Sequence, residues 1–340
     1  MADLPKLLHF IVQTSSGCPH VKWIISSRNW PSIEKDLDKA TEKIRLCLEL
    51  NENSISAAVA TFIQFKVDWL AHRNKYNPNT RDAVQHYLSI NADGTFLWVA
   101  LVCQELSNTP RWKAQQKLTA FPPGLDALYR RMIDQIWNSD DAELCKRILA
   151  AVSAVYRPLT LDELASVVDM PDGVAGEYAP LSEIIGLCGS FLTLRGHTIS
   201  FIHQSAKDFL VEKAYNETFP SKIEHVHHTI FSRSLQVMSE KLARDMYGLV
   251  APGLPIDQVK QPDPDPLSPT RYSCVYWIDH LLNCDSSRNA EDSFKDGEAV
   301  DGFLRRYYLY WLEALSLCRS MSKGVVSMAK LEAFLQVILI

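Results

Sequence analysis

Apolar positions recur at helical spacing along most of the chain, and the exceptions mark its turns. From about Ser54, the residues Ala57, Val59, Phe62, Ile63, Phe65, Val67 and Leu70 follow one another at such steps, which predicts a long helix. Thr80-Arg81-Asp82 is placed to cap a second helix running through Leu88, and 96–106 reads as a third, apolar nearly all round. Leu125, Leu128, Tyr129, Met132, Ile133 and Ile136 keep i, i+3, i+4, i+7 spacing. They follow Pro122-Pro123-Gly124, which cannot continue a preceding helix. Residues 51–138 are therefore expected to form a helical domain.

The rhythm changes over 139–215. A helix at about 143–156 stops at Pro158, and Thr160 with Glu163 forms a capping box that opens a helix over 161–168. After a loop with Pro171, Gly173 and Gly176, a third helix spans about 181–188. Two short strands, 191–194 and 198–202, are joined across Arg195-Gly196-His197 as a tight hairpin. Ser205, with Asp208 three residues on, is expected to cap a helix through Lys213. Three helices, a hairpin and a helix predict a winged-helix domain.

Upstream, Val21-Lys22-Trp23-Ile24-Ile25 is a short apolar run that ends in Ser26-Ser27-Arg28 and then Pro31. That is the profile of a buried strand in a parallel sheet, and 7–12 reads as the end of a helix before it. A parallel sheet needs several strands and no others follow, so residues 1–50 are expected to be the remnant of an α/β sheet cut off on its N-terminal side. Downstream, 216–340 returns to helices at about 223–247, 272–282, 303–317 and 325–340. A Pro-rich linker over 252–270 interrupts them, with Pro262-Asp263-Pro264-Asp265-Pro266 expected to be extended and exposed. The last residues, 335–340, are almost wholly apolar, which suggests a truncation or a missing partner surface. The predicted fold class is mainly α.

Composition changes this picture little. Hydrophobic residues make up 47% and charged residues 22% of the 340, which argues against disorder. A net charge of −5 does not suit a general binder of phosphate backbones. The helix at the recognition position, Leu181-Ser182-Glu183-Ile184-Ile185-Gly186-Leu187, carries a glutamate and no Lys or Arg, so nucleic acid is not expected as a partner. The eight cysteines, Cys18, Cys47, Cys103, Cys145, Cys188, Cys274, Cys284 and Cys318, are spread singly. They suggest neither a zinc site nor a disulfide framework, and a reducing compartment fits them. The start lacks a signal peptide and no apolar run approaches the roughly 18 residues of a membrane helix. A cytoplasmic protein without membrane contact is expected.

Candidate chemistry is sparse. His225, His227 and His228 do not share one helical face, so no metal is expected there. No G-x-S-x-G context surrounds a serine, and Ser205 beside His203 reads as a cap. Tyr307, Tyr308, Tyr310 and Trp311 read as helical core or partner surface.

The order of motifs is more telling. A strand ending in Ser-Ser-Arg is followed by a glycine and a Phe-Leu-Trp helix. Then come Pro-Pro-Gly-Leu before Leu-Tyr-Arg-Arg-Met, Arg-Pro-Leu-Thr-Leu-Asp-Glu-Leu, and Phe-Ile-His-Gln-Ser-Ala-Lys-Asp-Phe-Leu. In sequence and order these five, over roughly residues 4–214, resemble the C-terminal part of fungal NACHT domains of the STAND signalling NTPases. The resemblance implies that residues 1–50 are what remains of a nucleotide-binding sheet. It implies that Arg28 matches a sensor arginine facing the γ-phosphate, and that His203 matches the winged-helix histidine that touches the β-phosphate of ADP. In intact members the cofactors would be ATP or ADP with Mg²⁺, and nucleotide exchange would release the winged helix for oligomerisation.

Departures from the family matter as much. No G-x-x-x-x-G-K-[ST] loop is present, since none of the 13 glycines precedes a lysine. No acidic Walker B strand precedes 21–25, and Leu159-Thr160-Leu161-Asp162-Glu163 is better explained by the capping box. The proline expected near adenine is replaced at Thr95-Phe96-Leu97. Without these parts the phosphates are neither positioned nor neutralised, so the chain alone is expected to have no catalytic residues, bound cofactor or enzymatic activity. Protein partners or self-association through helical surfaces are expected instead. A non-catalytic interaction scaffold is the alternative reading, and a DNA-binding regulator a third.

Overall fold

The computed structural model describes residues 4–17, 20–25, 31–39, 52–174, 176–249, 253–284 and 299–338. The chain divides into two units at 65/66. In the first, helix α1 (Leu4–Gly17) packs on α2 (Pro31–Leu37) and buries Leu8 and Ile11, with Ile33 buried on α2. The expected strand at 21–25 is not formed. Those residues join no ladder, and Ile24 is fully exposed. A strand is stabilised by hydrogen-bonding neighbours, and none is present here among the described residues. Phe10 instead meets Trp23 edge to face at 6.1 Å. Arg28, Cys18 and Cys47 lie outside the described residues.

Helix α3 (Glu52–Asn74) crosses the division, and α4 (Pro78–Asn91) follows it. The cap of α4 is Asn77, whose Oδ1 accepts from Thr80 N–H at 2.7 Å; Thr80 was expected in that role. Pro78 at the first helical position fixes the start three residues earlier. Helices α5 (Phe96–Ser107), α6 (Ala114–Leu118) and α7 (Leu125–Trp137) complete this part. The turn before α7 is pinned by two side-chain donors, one half-buried and one buried: Tyr87 OH donates to Phe121 O at 2.5 Å and Trp98 Nε1–H to Pro122 O at 3.0 Å. Gly124 then takes φ +80°, a conformation that a residue with a Cβ rarely adopts.

The winged-helix part runs α8 (Ala142–Ala154), β1 (Leu159–Thr160), α9 (Leu161–Val167), α10 (Tyr178–Leu187), β2 (Leu192–Arg195) and β3 (Thr198–Phe201). The strands form an antiparallel sheet of order β1-β3-β2, with Leu159 opposite Ile199 and Arg195 opposite Thr198. That register leaves a two-residue loop in which Gly196 has φ +60°, the sign glycine supplies in such hairpins. Cys145, Ile148, Leu164, Leu181, Phe191 and Ile199 form its buried interior. Helix α11 (Gln204–Asp208) continues as a π-helical segment, Phe209–Lys213, then α12 (Tyr215–Thr218).

Four longer helices follow: α13 (Lys222–Lys241), α14 (Arg271–Leu282), α15 (Ala299–Leu317) and α16 (Met321–Ile338). Their common core holds Phe231, Met238, Trp277, Phe303, Trp311 and Leu331. Of the aromatic run on α15, Trp311 is buried and its Nε1–H donates to Cys274 O at 2.8 Å, whereas Tyr308 faces solvent. The Pro-rich linker departs from expectation at its C-terminal end. Leu267 and Thr270 are fully buried, and Asp265 accepts from Tyr247 OH at 2.9 Å and from Arg271 Nε at 2.8 Å. Leu267 and these polar contacts together anchor the end of the segment. Among the described residues no helix is long and apolar enough to cross a membrane.

Candidate functional site

Strand β3 leads directly to the site. Past Phe201, Ile202 N–H donates to Phe191 O at 2.9 Å, and His203 is held extended with φ −156° and ψ 154°. His203 itself caps α11, because Ser205 N–H donates to its Nδ1 at 3.2 Å. Ser205 was expected to be the cap. The helix starts two residues earlier than that reading requires, so Ser205 already lies inside it and His203 is the last non-helical residue.

The freed hydroxyl does something else. Ser205 Oγ lies 2.8 Å from His203 Nδ1 and 3.0 Å from Tyr129 OH on α7. The backbone N–H of Ser205 favours a lone pair on Nδ1, and with it the neutral ring that carries its proton on Nε2. Ser205 O–H then donates to Nδ1 and accepts from Tyr129 O–H. Tyr129 is fully buried and His203 is exposed. The outcome is an imidazole whose inner nitrogen is closed and whose outer N–H is available to an acceptor from solution.

The surroundings carry both charges. Asp208 accepts from Gln204 Nε2 at 2.9 Å. Burial pushes the Lys207 ammonium below its ordinary value, and Asp208 offsets part of that. Across from them, Arg130 Nη1 reaches both carboxylate oxygens of Glu217 at 2.7 and 2.9 Å, and its Nη2 donates to Lys213 O at 3.0 Å. Lys213 also pairs with Asp126. These exposed pairs add little stability each, but they register α7 against the segment that follows His203. A cleft of about 550 Å³ runs beside Arg130, Arg131 and Gln135 and does not include His203.

The acidic segment at 159–163 offers no metal site. Glu163 is 1% exposed and makes the expected capping box: Thr160 N–H donates to its Oε2 at 2.9 Å, and its own N–H donates to Thr160 Oγ1 at 3.3 Å. Arg157 clamps the same carboxylate at 2.5 and 2.7 Å. Among the described residues no group of three His, Cys, Asp or Glu side chains is gathered for a metal. Of the histidines on α13, His227 pairs with His280 on α14, Nδ1 to Nδ1, at 2.8 Å. That contact and the one from Tyr129 to Ser205 join residues 53 and 76 positions apart, beyond the reach of any local pattern.

Residues 133–221 match the family model of the GPI inositol-deacylase winged helix domain. The chain is 51% identical over 352 aligned residues to the vegetative incompatibility protein HET-E-1 of Podospora anserina, an alignment covering 98% of this chain. The chain spans about a quarter of that relative's length, 26%. No solved structure matches it significantly.

Proposed function

We propose that this chain, similar over nearly its whole length to a quarter-length segment of a vegetative incompatibility protein, is the winged-helix and helical portion of a NACHT-type, nucleotide-dependent signalling switch. It would read ADP through His203 and would not hydrolyse nucleotide alone. The observation that carries this reading is the ring of His203, closed on Nδ1 by Ser205 and presenting Nε2–H outward. A neutral N–H at that place suits a phosphate oxygen, and its cost of orientation is already met by the cap. The remaining donors of a nucleotide site are not supplied by this sequence, which contains no G-x-x-x-x-G-K-[ST]. ADP bound by the assembled switch would supply the negative charge that His203 recognises. Arg28, matched to the γ-phosphate sensor by resemblance, belongs to the same proposal. In domain terms, we read 51–138 as helical domain, 139–215 as winged helix and 216–340 as the following helical region; the described residues of 1–50 form two helices and no sheet.

The test supplies a G-x-x-x-x-G-K-[ST]-bearing segment of a NACHT-type relative in trans and measures ADP binding by calorimetry. His203→Ala is expected to weaken binding by about tenfold, the worth of one hydrogen bond to a charged group. Binding untouched by this substitution would remove His203 from the site.

A second reading, a protein-interaction scaffold, is favoured by one observation. Leu309 on α15 and Val325 and Val326 on α16 are 74%, 64% and 56% exposed, an apolar cost that a partner would relieve.

A further inference from the structure

We propose that Tyr129, on α7, is a positioning residue that holds the His203 ring in its Nε2–H form through Ser205. It would tie the outward-facing group of the winged helix to the helix that precedes it. Tyr129 lies outside the 133–221 segment that matches the winged-helix family model, so the link joins two parts of the molecule.

Tyr129 is fully buried, and its hydroxyl has Ser205 Oγ as its hydrogen-bond partner at 3.0 Å. Packing alone does not require that hydroxyl: the ring already lies 5.4 Å from Phe191 and 5.5 Å from Phe209, contacts a phenylalanine would keep. A buried hydroxyl costs free energy unless bonded, so its presence is explained by the bond it makes. By donating to Ser205 Oγ it turns that serine's own proton toward His203 Nδ1, at 2.8 Å, where it shares the lone pair with the longer backbone N–H contact at 3.2 Å. Chains of this kind polarise each successive bond.

The geometry also makes the link sensitive to position. Arg130, next to Tyr129, is fastened to Glu217 and to Lys213 O, and its guanidinium lies 5.3 Å from the centre of the Phe209 ring. Asp126, one turn earlier on the same helix, pairs with Lys213. Helix α7 is thereby set against the segment after His203. A shift of about 1 Å along that contact takes the tyrosine–serine bond out of range and frees the serine hydroxyl to turn away from Nδ1. The state of the histidine ring thus reports where α7 sits.

That His203 meets a nucleotide phosphate rests on the preceding proposal; the wiring of its ring does not. Long-range ¹⁵N–¹H NMR of the full chain, at a pH where the ring is neutral, reads the tautomer directly. The unaltered protein is expected to show His203 predominantly with Nε2–H. Tyr129→Phe keeps the aromatic packing and is expected to move the tautomer ratio roughly tenfold toward Nδ1–H, one neutral hydrogen bond's worth. Ser205→Ala is expected to do the same, which guards against a fold effect peculiar to the tyrosine. An unchanged ratio in both variants, with the fold intact by circular dichroism, overturns the proposal. ADP titration with the loop-bearing segment in trans separates the two claims: a shifted tautomer with no ADP bound by any form supports the positioning role and removes the nucleotide reading.

Discussion

Single side chains already set conditions on this molecule. Tyr156 N–H donates to Tyr272 Oη at 3.2 Å, and Tyr272 Oη meets His280 Nε2 at 2.7 Å. His280 Nδ1 in turn lies 2.8 Å from His227 Nδ1, so the phenol and the two imidazoles form one buried hydrogen-bonded chain. Burial, reinforced by His227, pushes the His280 ring down to about 3, and burial holds His227 below its ordinary value against the pull of Glu224. Both rings ionise more easily in the unfolded chain, so protons favour unfolding. Stability is fully present above an unfolded pKa near 6.5 and declines as pH falls from there toward the folded value. His280 alone is expected to remove about 2 kcal/mol by about pH 5, seen as a fall in the urea midpoint that His280→Phe makes shallower. A midpoint independent of pH across this window would show that the pair does not stay neutral. Glu163 makes the second condition. Glu163→Ala is expected to cost about 2–3 kcal/mol in denaturant unfolding, because it leaves Arg157 unpaired and the cap open. Glu163→Gln, which retains an acceptor for Thr160 N–H, is expected to cost less.

Among the elements, those whose signals are local were legible in the sequence. Helices α5 and α7 start and stop within a residue or two of their patterns, and the capping box of α9 is present with both bonds. The caps of α4 and α11 were displaced to Asn77 and His203, since Thr80 and Ser205 satisfy the same composition rule three and two residues too late. The run at 21–25 has strand composition but no ladder among the described residues, and composition alone does not supply a neighbour. Of the candidate site, His203 was legible from a motif, whereas Tyr129 registered only as one apolar-face position of α7. Element packing gives one further prediction. A Cβ on Gly324 of α16 would stand 2.5 Å from Leu315 Cδ1 on α15, and Leu315 is fully buried. Gly324→Ala is therefore expected to lower the thermal midpoint by an amount equivalent to about 1–3 kcal/mol. No loss would mean that the two helices part readily.

On the scale of the whole molecule, homology and the chemistry of His203 meet in the winged helix. The identity to HET-E-1 covers 98% of this chain and a quarter of that relative, and the winged-helix family model falls on the part that carries His203. In the proposed contact the outward N–H of His203 would give one phosphate oxygen a single hydrogen bond, worth about tenfold in affinity. Nucleotide affinity must then come from the loop that wraps the phosphates, which this sequence does not contain. The most direct measurement is a calorimetric titration of ADP into the chain alone at low and high salt. The account expects no saturable binding at micromolar concentrations in either. Micromolar affinity that persists in high salt would contradict it, because the chain would then hold a complete nucleotide site of its own.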